Sequence, residues 1–134
     1  MKNIKIFTDG GSRGNPGPSA IGVLILDEKN KELFRLGKQI GIATNNIAEY
    51  SAVFEALLWV KNNIAGHDIN LKFYLDSSLA VNQLNGIFKI KNQELKKIVV
   101  GIKKLEREIS GKIFYFKIAR EKNKTADFLV NSSF

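Results

Sequence analysis

The sequence predicts an α/β domain with strands and helices in the order βββ-α-β-α-α-β-α, and three features point there. Apolar residues first come in short runs broken by turn-forming residues, the pattern of a strand meander. From residue 46 the apolar spacing switches to the helical period, and helical and strand-like stretches then alternate to the C-terminus. No repeat, linker or low-complexity tract divides the 134 residues, and with 44% hydrophobic residues the chain can bury one core as a single domain, residues 1–134.

Residues 3–8, rich in Ile and Phe, read as a strand that runs into the turn-forming Asp9-Gly-Gly-Ser-Arg-Gly-Asn-Pro-Gly-Pro18. Residues 20–26 are a nearly continuous apolar run suited to a buried strand, residues 27–31 a polar turn, and residues 32–41 a third strand. Links this short favour antiparallel neighbours. Residues 46–62 are helical: Asn46 can cap, Glu49 follows three positions later, and Tyr50, Val53, Phe54, Leu57 and Val60 share a face. Gly66 ends that helix, and residues 70–75 form a strand entering the middle of the sheet. Residues 77–85 are a short helix stopped by Gly86. Residues 92–109 are the longest helix, with Leu95, Ile98, Val99, Ile102, Leu105 and Ile109 on one side and Lys96, Lys97, Lys103, Lys104 and Arg107 on the other. Residues 112–118 make a fifth strand and residues 124–132 a terminal helix.

Composition excludes several chemistries. The chain has no Cys, which removes disulfides, thiolate nucleophiles and sulfur-based metal sites together. His67 is the only histidine, so Ser-His-Asp and His-rich metal schemes lack parts. It precedes the strand at residues 70–75, at the end away from Asp76, and is not expected in the chemistry. The apolar run after Lys2 meets Asp9 almost at once, so no export signal is expected. No stretch nears the roughly 20 apolar residues of a membrane span. The expectation is a soluble cytoplasmic monomer with no membrane partner. Charge is uneven: residues 1–86 hold nine basic and eight acidic residues, and residues 87–124 hold twelve and four, within a net charge of +8. A basic half beside a near-neutral one suggests a polyanion partner, although a solvated lysine face reads the same way.

What remains is carboxylate chemistry. Asp9 and Asp76 each stand at the C-terminal end of a strand, where α/β sheets favour ligand sites. Glu49 lies in the first turn of its helix among apolar neighbours, and Asp127 lies beside Ala126 and Phe128 in the last helix. Acids so placed are expensive to bury unless paired. Glu55 falls about a third of a turn from Glu49 and reads as exposed, and Asp68 reads as a turn residue. Singly, each acid also reads as a cap or turn residue; together, four carboxylates without imidazole or thiolate suit Mg²⁺ or Mn²⁺. The Gly-rich stretch is not a P-loop, since no Gly-Lys-Ser/Thr follows and it leads into a strand.

Thr8-Asp9-Gly10-Gly11-Ser12-Arg13-Gly14-Asn15-Pro16-Gly17 resembles the opening motif of type 1 ribonuclease H. Thr44-Asn45-Asn46 with Ala48-Glu49-Tyr50 is similar to that family's second motif, Leu75-Asp76-Ser77-Ser78 to its third, and Asn123-Lys124-Thr125-Ala126-Asp127-Phe128-Leu129-Val130-Asn131 to its fourth. The four come in the family's order and span essentially the whole chain. The resemblance implies a ribonuclease H-like fold: a five-stranded mixed sheet, its first three strands antiparallel, with helices on both faces. It implies endonucleolytic cleavage of the RNA strand of RNA–DNA hybrids, leaving 5′-phosphate and 3′-hydroxyl ends. Asp9, Glu49, Asp76 and Asp127 match the family's catalytic acids, which hold two Mg²⁺ (or Mn²⁺) ions. Asn15, Asn45 and Asn46 match contacts across the hybrid's minor groove, and Thr44 matches a grip on a DNA-strand phosphate. The backbone amides of Gly10 and Gly11 are placed to approach the RNA.

The chain departs from the family pattern at three places. Ser78 stands where many members carry a substrate-reaching Gln. No histidine occurs near residues 120–124, where many members place a mobile one; Arg120 and Glu121 are the residues there that could substitute. Residues 86–92 pass directly into the long helix without the basic handle of some bacterial members, and the lysines of residues 89–107 are positioned to supply that grip. The alternatives are a non-catalytic module for hybrid or double-stranded RNA, and another nuclease of the same fold.

Overall fold

Burial alternates along Lys2–Ser12 (β1), which puts Ile4, Ile6, Thr8 and Gly10 on one face of a sheet and Lys5, Phe7 and Asp9 on the other. The computed structural model describes residues 2–64, 68–86 and 89–134; Gly66 and His67 lie outside the described residues. Gly17–Leu26 (β2) pairs antiparallel with β1, and Glu32–Ala43 (β3) antiparallel with β2, the expected meander. Ile69–Leu75 (β4) pairs parallel with β1, and Gly111–Lys117 (β5) parallel with β4. The five-stranded mixed sheet therefore has the order β3-β2-β1-β4-β5, with β1 in the middle.

β1 is longer than the sequence suggests. Residues 9–12 read as the start of a turn, but they stay in the strand because they pair with β2, from Asp9 opposite Gly22 to Ser12 opposite Ser19. Only residues 13–16 turn, where Gly14 takes a φ of 93° that favours glycine. Asp9 thus sits inside β1, two residues beyond Phe7, the last residue of β1 in register with β4.

The helix Asn45–Ile64 (α1) is capped by Thr44, not Asn46: the Ile47 N–H donates to Thr44 Oγ1 at 3.2 Å. It buries Ala48, Tyr50, Val53, Leu57 and Val60 and packs over β1 and β2. Gly10 fixes how close it comes, since a Cβ there would overlap the backbone of Ala48 and Glu49. Ser78–Leu84 (α2) is capped by Ser77, and the Tyr50 hydroxyl bonds Gln83, which ties α1 to α2. Gln93–Glu108 (α3) lies on α1 and buries Leu95, Ile102 and Leu105, with Asn92 as its cap. Lys96, Lys97, Lys104 and Arg107 are exposed as expected. Lys103 is not part of that free face: its Nζ donates to the Leu84 carbonyl at 2.6 Å and pairs with Glu106 at 3.2 Å.

A 3₁₀ turn at Arg120–Lys122 leads into Lys124–Asn131 (α4), which covers β1, β2 and β3 on the opposite face of the sheet. Gly22 and Gly37 admit it, because a Cβ on either would press into the α4 backbone at Ala126 or Leu129. Helices therefore lie on both faces. Among the described residues, no helix is long and apolar enough to cross a membrane.

Candidate active site

Three of the four acids converge. Asp9 from β1, Glu49 from the first turns of α1 and Asp76 just past β4 each offer a carboxylate oxygen within 4.8 Å of the others. The register explains the meeting: β1 and β4 run parallel and stop pairing at Phe7 and Tyr74, so Asp9 and Asp76 project from adjacent strands just beyond. The close approach at Gly10 brings Glu49 down onto them.

The group is electrostatically uncomfortable as it stands. Burial, then the charges of Asp76, Glu49 and Asp127, push the Asp9 carboxyl up to about 8. Burial also pushes Glu49 up to about 7, against the lowering effect of the Ser77 hydroxyl. Among the described residues, Glu49 Oε2 is buried without a hydrogen-bond partner. A hard divalent cation fits this donor set: it would satisfy that oxygen and offset the mutual repulsion.

Asp127 stands apart from the cluster. It lines the same cleft, of about 420 Å³, but pairs with Arg120 at 3.4 Å. Of the two residues that could replace the missing loop histidine, only Arg120 lines this cleft, whereas Glu121 lines a separate hollow beneath α4. Glu55 is not free either, and pairs with Lys38 at 3.3 Å.

The remaining predicted residues form the rim. The Ser12 N–H donates to Asn45 Oδ1 at 2.8 Å, and the Asn45 N–H donates to Asn15 Oδ1 at 3.1 Å, which docks the 13–16 turn on the start of α1. The side-chain oxygens of Asn15 and Asn45 are thereby used, and their Nδ2 groups make no hydrogen bond among the described residues. Asn15, Thr44 and Asn46 line an adjoining groove of about 220 Å³ that Asn92 closes, a residue that reads in the sequence only as part of a helix start. Gly11 lines the cleft beside Asp9. Gly10 lines it too, and its lack of a side chain also admits α1, since a Cβ there would overlap the backbone of Ala48 and Glu49. Ser78 is exposed at the start of α2, one residue beyond the Ser77 that neighbours Glu49.

Asn123 is the residue whose role the sequence hides. It is 1% exposed, and its Nδ2 donates to the Thr8 carbonyl at 2.9 Å and to Asp76 Oδ2 at 3.4 Å. Its own carbonyl accepts the Asp127 N–H at 3.1 Å. In the sequence it stands as the first residue of the stretch that resembles the fourth motif, four residues before an acid, and nothing there shows its contacts to Thr8 and Asp76.

Residues 7–133 match the family model described as reverse transcriptase-like. The bifunctional protein Rv2228c of Mycobacterium tuberculosis is 35% identical over 97% of this chain, which spans 35% of that protein's length. Ribonuclease HI of Halobacterium salinarum is 32% identical over 97% of this chain and 63% of its own length. The crystal structure of LC11-RNase H1 in complex with RNA/DNA hybrid superposes with a TM-score of 0.91 at 40% identity, covering 97% of this chain and 95% of that one. The fold, the order of the motifs and these relatives agree: the chain belongs to the type 1 ribonuclease H family.

Proposed function

We propose that this chain is an endonuclease that uses two divalent cations, Mg²⁺ or Mn²⁺, to hydrolyse the RNA strand of RNA–DNA hybrids, leaving 5′-phosphate and 3′-hydroxyl ends. The observation that carries the reading is the meeting of Asp9, Glu49 and Asp76, two of them pushed up by burial. A surface built only to bind a polyanion gains nothing from such a cluster. The relative solved with bound RNA/DNA hybrid supports the substrate class.

Asp9, Glu49 and Asp76 would hold the cations, with Asp127 at the cleft's edge as the fourth acid. When bound, cations there polarise the scissile phosphate and make water a stronger nucleophile. The chain's own residues do the rest. Asn123 holds Asp76 against the Thr8 carbonyl and so sets the spacing of the acids. Arg120 restrains Asp127 through their ion pair. The free Nδ2 groups of Asn15 and Asn45, with the exposed amide of Asn46, offer donors to the 2′-hydroxyls in a hybrid's minor groove. Thr44 Oγ1 accepts the Ile47 N–H, which leaves its hydroxyl proton for a phosphate of the DNA strand. Backbone at Gly10 and Gly11, and Ser78 at the start of α2, complete the proposed contacts.

The test is end-labelled hybrid, duplex RNA and duplex DNA, each with Mg²⁺, Mn²⁺ or chelator. Hybrid should be cut in its RNA strand only with the cations, and Asp76→Asn should lose on the order of a thousandfold in rate. Binding without cleavage would identify a non-catalytic module, and cleavage of duplex DNA would identify another nuclease of this fold.

A further inference from the structure

The second face of the sheet is only half covered. α4 packs over β1, β2 and β3, and β4 and β5 carry on that face a continuous set of aromatic rings. Phe7, Tyr74 and Phe116 are in register across β1, β4 and β5, with ring centroids 5.1 and 5.7 Å apart and planes within 23° and 28°. Phe114 extends the set along the edge strand, 6.1 Å from Phe116 at 14°. Phe114 is 39% exposed and Phe116 is 42% exposed. Near-parallel rings with open area on a sheet edge mark a contact surface rather than a core.

The neighbours on this face specify the chemistry of what it contacts. Lys5 and Lys72 sit in the row of Phe114, and Lys112 sits in the next row, opposite Asn70. Among the described residues, neither Lys72 nor Lys112 pairs with a carboxylate. The adjoining hollow of about 240 Å³ has Phe7, Leu24 and Leu26 in its wall and Lys122 and Lys124 at its edge, with Glu121 its one acid. A second copy docked on the same patch would set these lysines against themselves. A polyanion carrying flat apolar groups satisfies rings and lysines together.

We propose that this half-face binds single-stranded nucleic acid, with bases packed on the exposed Phe114 and Phe116 rings and phosphates on Lys72 and Lys112. A duplex has its bases already stacked inward and cannot use the rings, so the surface discriminates for unpaired strand. The hydrolytic activity proposed above is not needed for this binding. Phe7 is two residues from Asp9 on the same face of β1, in the wall of a hollow separate from the cleft.

The experiment is fluorescence anisotropy of the full chain in chelator, where nothing is cut. The probes are a labelled oligothymidylate long enough to cross the face and a blunt-ended hybrid. Phe114→Ser with Phe116→Ser should weaken oligothymidylate binding by tenfold or more, as loss of stacked rings does. Lys72→Glu with Lys112→Glu should do the same and flatten the salt dependence. Both pairs should leave blunt-hybrid affinity, and hybrid cleavage measured separately with Mg²⁺, within about twofold. Absence of oligothymidylate binding by the parent, or its retention in both double variants, overturns the proposal. So does sedimentation showing that the parent self-associates through these phenylalanines, since the face then belongs to a second copy. Because binding is read without cation, a failure of the cleavage assay leaves this result intact.

Discussion

Asn123 and Thr8, 115 residues apart in the chain, are joined by a buried hydrogen bond of 2.9 Å from side-chain amide to carbonyl. The same amide touches Asp76, so the side chain ties the β1 and β4 acid-bearing ends together, while the backbone carbonyl of Asn123 receives the N–H of Asp127 within the first turn of α4. Asn123→Ala leaves the Thr8 carbonyl without its donor and should cost about 1–3 kcal/mol in urea unfolding of the cation-free protein. Cation affinity should fall about tenfold or more as Asp76 loses its orientation. Titration of Mn²⁺ by calorimetry checks this independently of turnover, and unchanged affinity with lowered stability would reduce Asn123 to a packing residue.

The raised carboxyls fix the pH dependence of the cation-free protein. Asp9 moves from 3.8 to about 8 and Glu49 from 4.5 to about 7 on folding, so between those limits the native state holds more protons than the unfolded chain. Stability in chelator should therefore fall as pH rises from about 4 to about 8, then level off. Asp9→Asn should flatten much of that decline and melt higher than the parent at pH 8. Saturating Mg²⁺ should restore the parent at pH 8. Thermal melts across this range, with and without cation, decide it.

Gly10 should tolerate nothing larger. A methyl there overlaps the α1 backbone, which cannot yield as a flexible side-chain tip would, so Gly10→Ala should cost about 3 kcal/mol. It should also push Glu49 away from Asp9 and weaken cation binding. Gly86→Ala is a useful contrast: its φ of 79° strains an alanine, but among the described residues nothing lies within 4 Å of the added methyl. That change should cost about 1 kcal/mol and leave cation binding intact. Denaturant midpoints with Mn²⁺ titration separate the two.

The lysines of α3 should divide into two kinds. Lys96, Lys97 and Lys104 are exposed, and replacing them together by Glu should flatten the salt dependence of hybrid affinity while leaving the melt within a few degrees. Lys103→Ala should instead cost about 1 kcal/mol, because it unties the Leu84 carbonyl and Glu106. Affinity measured at several salt concentrations would show an unchanged slope if the exposed three only face solvent.

The elements were legible because the apolar period changes from two to 3.6 where strand gives way to helix. The cluster of Asp9, Glu49 and Asp76 was legible because Asp9 and Asp76 stand at strand ends, Glu49 stands in the first turn of its helix, and all three fall in the family's motifs. The length of β1 was not, since a Gly-Gly pair reads as a turn until its partners on β2, Ile21 and Ala20, are known. Thr44, Asn45 and Asn46 are all capping types, and only backbone geometry selects Thr44. Asp127 carried the same local signature as the other acids, yet Arg120 engages it at the cleft's edge. In the sequence Phe114 and Phe116 fall on a strand with no sign of which face is covered; their exposure follows from where α4 stops, which no local pattern encodes.

Three carboxylates meet from β1, α1 and the end of β4, and Asp127 of α4 lines the same cleft, an arrangement complete only after all four elements have docked. Their repulsion is therefore absent from the unfolded chain and from any folding transition state in which one of the four is still loose. It acts on the lifetime of the native state rather than on the speed of reaching it. A cation bound at the cleft works as a clasp fastened last: it should slow escape from the native state while leaving the rate of refolding almost untouched.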